Sequence, residues 1–285
     1  MDTLVVGAVA YDPKVVLIWD IIKDYANATD CKLDYVLFSN YERQVSALLS
    51  GHIDIAWNTN VAWIRCLHAS AGKAKALVMR DTDKNFTTKF IKRKSSAISK
   101  ISDLKGKSFG LGSLDSAQAA ILSLHYLKQE AGDMAICELT SLRELQADCI
   151  NIIRFNSDVG KHGDTGRSEF DVLDSIKKGQ IDAGSVGSST WIRILQEGGY
   201  EDLECFYTTE GYCHCNFTCL ESLNKSAQDA FVWMLLSQNT RKNESLITKM
   251  MQMEGLNQWI KVTNQELKGY EVLQAAMQEQ GILKA

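Results

Sequence analysis

Ala47-Leu48-Leu49-Ser50-Gly51-His52-Ile53-Asp54-Ile55-Ala56 and Ser175-Ile176-Lys177-Lys178-Gly179-Gln180-Ile181-Asp182-Ala183-Gly184 share one grammar. Each ends a helix, stops it with a glycine that accepts a left-handed conformation, adds one polar residue, and opens a short buried strand with Ile-Asp. The aspartate at the strand's start can accept from nearby backbone N–H groups, a structural duty. Because the unit occurs twice, it predicts two lobes of similar topology, each a small α/β sandwich.

The surrounding sequence extends this pattern. Thr3 to Val9 is a β-branched apolar run closed by the turn Tyr11-Asp12-Pro13, and Val15, Ile18, Trp19, Ile22 and Tyr25 follow at helical spacing. Lys32 to Phe38 alternates as a strand does. Ser39-Asn40 then caps a short helix whose buried face carries Val45, Leu48 and Leu49. Around the second copy, Thr88 to Arg93, Ser108 to Gly112, Ile152 to Phe155 and Leu203 to Thr209 read as strands. Ser102 to Lys107 reads as a capped turn, and Ser113-Leu114-Asp115-Ser116-Ala117-Gln118 opens a helix toward Glu130. Ala227 to Leu236, Glu244 to Met253 and Gln265 to Gln280 carry helical stripes. Strands alternating with helices predict an α/β fold with largely parallel sheets.

Composition narrows the function classes. A chain of 285 residues holds one large or two medium domains. With 45% apolar and 23% charged residues it is an ordinary soluble globular protein. A net charge of −4 gives no footing for a nucleic-acid or anionic-membrane partner. No uncharged apolar run reaches the roughly 18 residues that membrane insertion needs. The first residues lack a basic segment followed by an apolar one, so the chain as written is expected in the cytoplasm, or in the periplasm or outside the cell where a leader has been removed. Five scattered cysteines suit a reducing compartment, while the even count of eight leaves disulfides open. Pro13 is the only proline, which argues against proline-rich linkers.

The order and spacing of several motifs resemble a known family: the type II periplasmic-binding-protein fold, in its phosphonate/phosphate-binding branch of ABC-transporter receptors. The matching stretches are Val6 to Pro13, Tyr41 through Trp57, Asp103 to Lys107, Leu114 to Gln118, and Ile181-Asp182-Ala183 followed by Ser188-Ser189. Together they cover roughly residues 4 to 220. The resemblance implies one lobe from residues 1–90 plus 206–285, a second from 91–205, a hinge of crossing strands, and a small anion held in the cleft between lobes. It also implies an ABC permease as partner, no cofactor, a monomer, and transport without chemistry. In the loop after Trp57, where relatives commonly have a proline, the chain has Asn58-Thr59-Asn60. Ala117 stands where many carry a hydroxyl residue, and Gly187 where an acidic residue would meet an aminoalkyl group.

The residues themselves offer a set of ligand contacts. Asp115, Ser116, Ala117 and Gln118 form a helix start, whose free N–H groups and dipole favour an anion; plain N-capping is the alternative. Tyr11 and Tyr41 sit just past strand ends and offer phenol donors, or half-buried packing. Trp57, Asn58 and Thr59 follow the first Ile-Asp strand and face one mouth, with Trp57 as a core residue the alternative and Asn58 and Thr59 the stronger donors, and Ser188 and Ser189 end the second. His162, in the polar loop after Ile152 to Phe155, resembles a histidine that the family directs at the phosphonyl group. His214 lies within Cys213-His214-Cys215. No second paired spacing accompanies it, so a cleft-lining histidine among structural cysteines is expected rather than a metal. Other classes on the same fold are a cytosolic enzyme of cofactor biosynthesis and a sensor or storage binder.

Overall fold

The computed structural model describes residues 3–157, 167–241 and 244–283. The chain divides into two compact units. One gathers the residues up to Asn85 with Tyr212–Gln274; the other holds Phe86–Gly211 and the stretch from Ala275.

The first unit opens with β1 (Leu4–Val9), α1 (Lys14–Asn27), β2 (Leu33–Phe38), α2 (Tyr41–Leu49), β3 (Ile55–Asn58), α3 (Asn60–Ala69) and β4 (Ala74–Arg80). The second comprises β5 (Thr88–Arg93), β6 (Ser108–Leu111), a π-helical turn at Ala117–Ile121 leading into α4 (Leu122–Ala131), β7 (Ala135–Glu138) and β8 (Cys149–Arg154). It continues with α5 (Arg167–Lys177), β9 (Ala183–Gly187), α6 (Ser188–Glu197) and β10 (Leu203–Thr208). Returning to the first unit, the chain adds β11 (Asn216–Leu220), α7 (Lys225–Gln238), α8 (Ser245–Glu254), β12 (Trp259–Lys261) and α9 (Asn264–Lys268); its last helix, α10 (Glu271–Glu279), is divided at Ala275, where the residues of the second unit resume.

Each unit is built on one six-stranded sheet, ordered β12-β4-β11-β3-β1-β2 and β10-β5-β9-β6-β8-β7. In the first, β2, β1 and β3 are parallel and β11 runs antiparallel beside β3. In the second, β7, β8, β6 and β9 are parallel and β5 runs antiparallel beside β9. This is the α/β architecture that the paired Ile-Asp units predict.

The repeat extends to single atoms. Gly51 and Gly179 both adopt φ +72°, the left-handed region that glycine enters at little cost. The next residue closes each helix in the same way, His52 N–H to Ala47 O and Gln180 N–H to Ser175 O, both 2.9 Å. Asp54 accepts from Val5 N–H at 2.8 Å, and Asp182 from Ser108 N–H at 2.9 Å. The aspartates tie β3 and β9 to the starts of their neighbouring strands, as a structural role requires. Gly7 of β1 and Gly110 of β6 let a helix and the strand-opening isoleucine approach. A Cβ at Gly7 would lie 2.5 Å from Ile53 Cδ1, and one at Gly110 2.6 Å from Ile181 Cδ1. Phe38 and Phe155 close the same two spots, at 3.0 and 3.2 Å.

The C-terminal stretch departs from the sequence reading. A short strand, β12, pairs antiparallel with β4, Trp259 opposite Arg80. The stripe from Gln265 to Gln280 is broken at Gly269, where Gly269 O accepts Cys213 N–H at 2.8 Å. A Cβ there would meet Cys213 Sγ at 2.5 Å, so backbone contact takes precedence over helix continuity. Cys137 and Cys149 form a disulfide between the edge strand β7 and its neighbour β8, a pairing the sequence leaves open.

Candidate functional site

In each unit the parallel strands deliver their carboxyl ends to helix N-termini, where a fold of this class gathers ligands. In the first unit, Asn40 caps α2 by accepting Arg43 N–H at 2.9 Å, and Thr59 caps α3 by accepting Ala62 N–H at 3.3 Å. Tyr41, the first residue of α2, is buried. Tyr11 is half-buried against the core, with Lys14 Nζ 5.9 Å from its ring centroid.

Asn58 is the last residue of β3 and is fully buried. Its Oδ1 accepts from Gln44 Nε2 at 2.8 Å, while its Nδ2 finds no partner among the described residues. Gln44 Oε1 is likewise without a partner among the described residues. A buried donor left without an acceptor costs about 1–3 kcal/mol, which makes the Asn58 Nδ2 a candidate for a bond to a partner from outside the protein.

Trp57, read from the sequence as sharing a mouth with Asn58 and Thr59 or as core, lies in the core. Successive strand side chains point to opposite faces, and Trp57 takes the face that packs on Phe217 (centroids 4.5 Å) and Trp259 (6.0 Å). Arg80 stacks over it, 5.2 Å from the ring centroid.

His214 is also drawn inward. Its N–H donates to Asp83 O at 3.0 Å, and its Nδ1 lies 3.0 Å from Cys215 Sγ and 3.4 Å from Asp83 Oδ1. The donor atoms of Asp83, His214 and Cys215 fall within 4.8 Å of one another, a spacing that could suit a metal. Arg80, however, forks both oxygens of Asp83, at 2.6 and 2.9 Å, and reaches Glu254 Oε2 at 3.1 Å. Burial opposes the charge on Asp83, but Arg80 and His214 outweigh it and bring the carboxyl down to about 2. The cluster is a buried ion-pair network whose anion is already matched.

In the second unit, Ser116 caps the π-helical turn, its Oγ accepting Ala119 N–H at 3.2 Å. Ser116, Ala117 and Asp115 are all buried at that helix start. Gln118 is held by the protein: its Nε2 donates to Glu169 Oε1 at 3.0 Å, and Glu169 Oε2 accepts Gly187 N–H at 2.9 Å. Gln118 also explains the glycine at 187, since a Cβ there would lie 2.9 Å from its Cγ. Ser188, the first residue of α6, exchanges bonds with Thr87: its N–H donates to Thr87 O at 2.8 Å, and its Oγ accepts Thr87 N–H at 3.3 Å. Ser189 is exposed at the same helix start. His162 lies outside the described residues.

Gln44, Arg80, Asp83 and Glu169 carry this chemistry without having been singled out in the sequence. Gln44 left a signal, because it lies four residues before Leu48 and so falls on the apolar stripe of α2, where a polar residue needs a reason.

A sequence model of the periplasmic substrate-binding proteins of phosphonate ABC transporters matches residues 10–267. The chain belongs to that phosphonate-binding family. Its members are substrate-binding proteins rather than enzymes, and they are periplasmic. The chain is 20% identical over 259 residues to the probable ABC transporter phosphite binding protein PhnD1 of Prochlorococcus marinus (strain MIT 9301), covering 87% of this chain and 80% of that protein. The structure of PhnD1 in complex with methylphosphonate matches with a TM-score of 0.69 at 18% identity, over 99% of both chains. XAC2383 from Xanthomonas citri, bound to ATP, matches with a TM-score of 0.75 at 15% identity, over 98% of both chains. The aliphatic sulphonate binding protein SsuA from Escherichia coli matches at 0.61 and 12% identity, over 100% of this chain and 89% of that one. At such identities these structures show the shared two-lobed fold. No helix among the described residues is long and apolar enough to cross a membrane.

Proposed function

We propose that this phosphonate-binding-family protein takes a small oxyanion of the phosphonate, phosphate or phosphate-ester class and hands it to an ABC permease. The observation that carries the ligand class is the Asn58 amide: a fully buried donor at a strand's carboxyl end, beside the capped N-terminus of α3, with its hydrogens unclaimed among the described residues. An acceptor-rich anion is the chemistry that such a donor and such a helix terminus favour. The remaining donors follow the same logic. Tyr11, Tyr41 and Thr59 supply hydroxyls on the first unit. Ser116, Ser188 and Ser189, with the N–H groups behind Asp115 and Ala117, supply them on the second, and His162 adds a cation when protonated.

The compartment we propose is the periplasm or another oxidising space, since the Cys137–Cys149 disulfide persists where thiols are not kept reduced. A thermal-shift screen against phosphate, phosphite, methylphosphonate, alkanesulfonates and nucleotides tests the ligand class. Stabilisation by a phosphorus oxyanion supports it. Stabilisation by a neutral aromatic compound or a metal, with none by any oxyanion, overturns it.

A further inference from the structure

The repeat that builds the two units also provides an internal control for the Asn58 site. Residues of α2 and β3 in the first unit match residues of α5 and β9 in the second at one constant offset, with Gly51 matching Gly179, Ile53 matching Ile181 and Asp54 matching Asp182. On that offset, Gln44 matches Val172 and Asn58 matches Val186. The correspondence is also geometric: a Cβ on Gly7 would lie 3.3 Å from Gln44 Cγ, and one on Gly110 would lie 3.3 Å from Val172 Cγ1. All four side chains are fully buried. The fold therefore accepts a purely apolar pair at this place, yet the first unit fills it with two primary amides.

These amides are joined in one sense only. Gln44 Nε2 donates to Trp57 O and to Asn58 Oδ1, both at 2.8 Å. The Trp57 carbonyl can only accept, so it holds the Gln44 amide with its hydrogens toward β3. That donor in turn engages the oxygen end of Asn58, which leaves the Asn58 Nδ2 hydrogens as the end that is free to bond outward. Turning Asn58 over would bring hydrogens against hydrogens and present a carbonyl oxygen, the wrong sign for an anion.

We infer that Gln44 is a positioning residue for specificity: it locks the Asn58 amide with its donor end available, and so selects an anionic, acceptor-bearing ligand. This rests on the reading of the chain as an oxyanion binder. Gln44 itself needs no contact with the ligand.

The test uses methylphosphonate as the probe, calorimetric titration for affinity, and the Asn58 side-chain amide signals in a ¹⁵N spectrum, identified by their loss in Asn58→Val. In the unaltered protein, saturating methylphosphonate is expected to move those signals. Gln44→Val removes the lock and should weaken binding by about threefold or more while reducing that movement, since a hydrogen bond to a charged group is worth more than a neutral one. Gln44→Glu offers only acceptors, turns Asn58 over, and should bind more weakly than Gln44→Val. The double variant Gln44→Val/Asn58→Val copies the pair found in the second unit. It should fold with an undiminished melting temperature and lose at least about tenfold in affinity.

If Gln44→Val binds as the unaltered protein does, or the Asn58 signals ignore saturating ligand, the assignment of Gln44 is overturned while oxyanion binding stands. If the double variant does not fold, the amides are structural and the inference is likewise overturned. If the unaltered protein binds no oxyanion at all, the ligand class falls and this inference falls with it.

Discussion

The two units solve one packing problem with the same parts and then diverge. Both use a glycine on the strand beside the Ile-Asp strand, an isoleucine and a phenylalanine against it, a glycine-stopped helix, and an aspartate that ties the two neighbouring strands together. Above that shared floor, the first unit carries the amides Gln44 and Asn58 and a buried Arg80–Asp83 pair. The second carries Val172 and Val186, with a carboxylate, Glu169, bonded to Gln118 and to Gly187 N–H. The floor is what the fold needs. What differs above it is where function has room to act.

The largest effect should come from breaking the network that only the first unit has. Asp83→Ala leaves the half-buried Arg80 guanidinium without its main counter-charge, which costs up to about 3–5 kcal/mol. Hydrogen exchange should then show β3, β4 and β11 losing protection before β6 and β9; equal loss across both units would contradict a unit-specific role. The same pair gives a pH signature. The folded-state pKa of Asp83 is depressed from its ordinary 3.8 to about 2, so its stabilisation is present above 3.8 and drains away as pH falls toward 2. Acid titration of unfolding should show this loss in the native protein and its absence in Asp83→Asn.

A smaller effect separates the units from the other side. The Cys137–Cys149 bridge closes a short loop, with a sequence separation of 12, and belongs to the second unit alone. Replacing both cysteines with serine should cost up to about 3 kcal/mol. Protection should fall in β7 and β8 first; no change in stability between oxidised and reduced protein would remove the bridge from the account.

The shared floor itself can be probed by paired substitution. Gly7→Ala and Gly110→Ala should each cost about 1–3 kcal/mol, because the new methyl meets an isoleucine Cδ1 at 2.5 or 2.6 Å. Ile53→Val and Ile181→Val remove that atom and should restore part of the loss in the matching unit only. Rescue across units, or none at all, would argue against the equivalence. The mildest contrast concerns the tying aspartates. Asp54→Ala should cost about 1 kcal/mol, and Asp182→Ala somewhat more, since Asp182 also accepts from Ser108 Oγ at 2.8 Å.

The fold was legible in the sequence because its repeated unit is local. A helix end, a glycine stop and an Ile-Asp strand fit within ten residues, and two copies suffice to predict two similar α/β units. The site was legible only in part. Ser116 and Thr59 announce themselves as N-caps, and Asn58 follows from the strand's end. The surroundings of Trp57 and His214 are made by distant segments, Phe217 and Trp259 for the tryptophan and Asp83 for the histidine, and no local pattern announces them. The same holds for Gln118, whose partner Glu169 stands 51 residues away. Gln44 was missed although its position on the buried face of α2 was visible, because its meaning depends on the orientation of another side chain.

The measurement that bears most directly on the central claim is a calorimetric titration of methylphosphonate into the unaltered protein and into Asn58→Val. Asn58→Val replaces the unclaimed donor with the residue that the second unit carries at the matching place. Affinity is expected to fall at least about tenfold while the melting temperature of the ligand-free protein is maintained or raised, because a buried donor with no partner among the described residues has been removed. Undiminished affinity in Asn58→Val would contradict that claim.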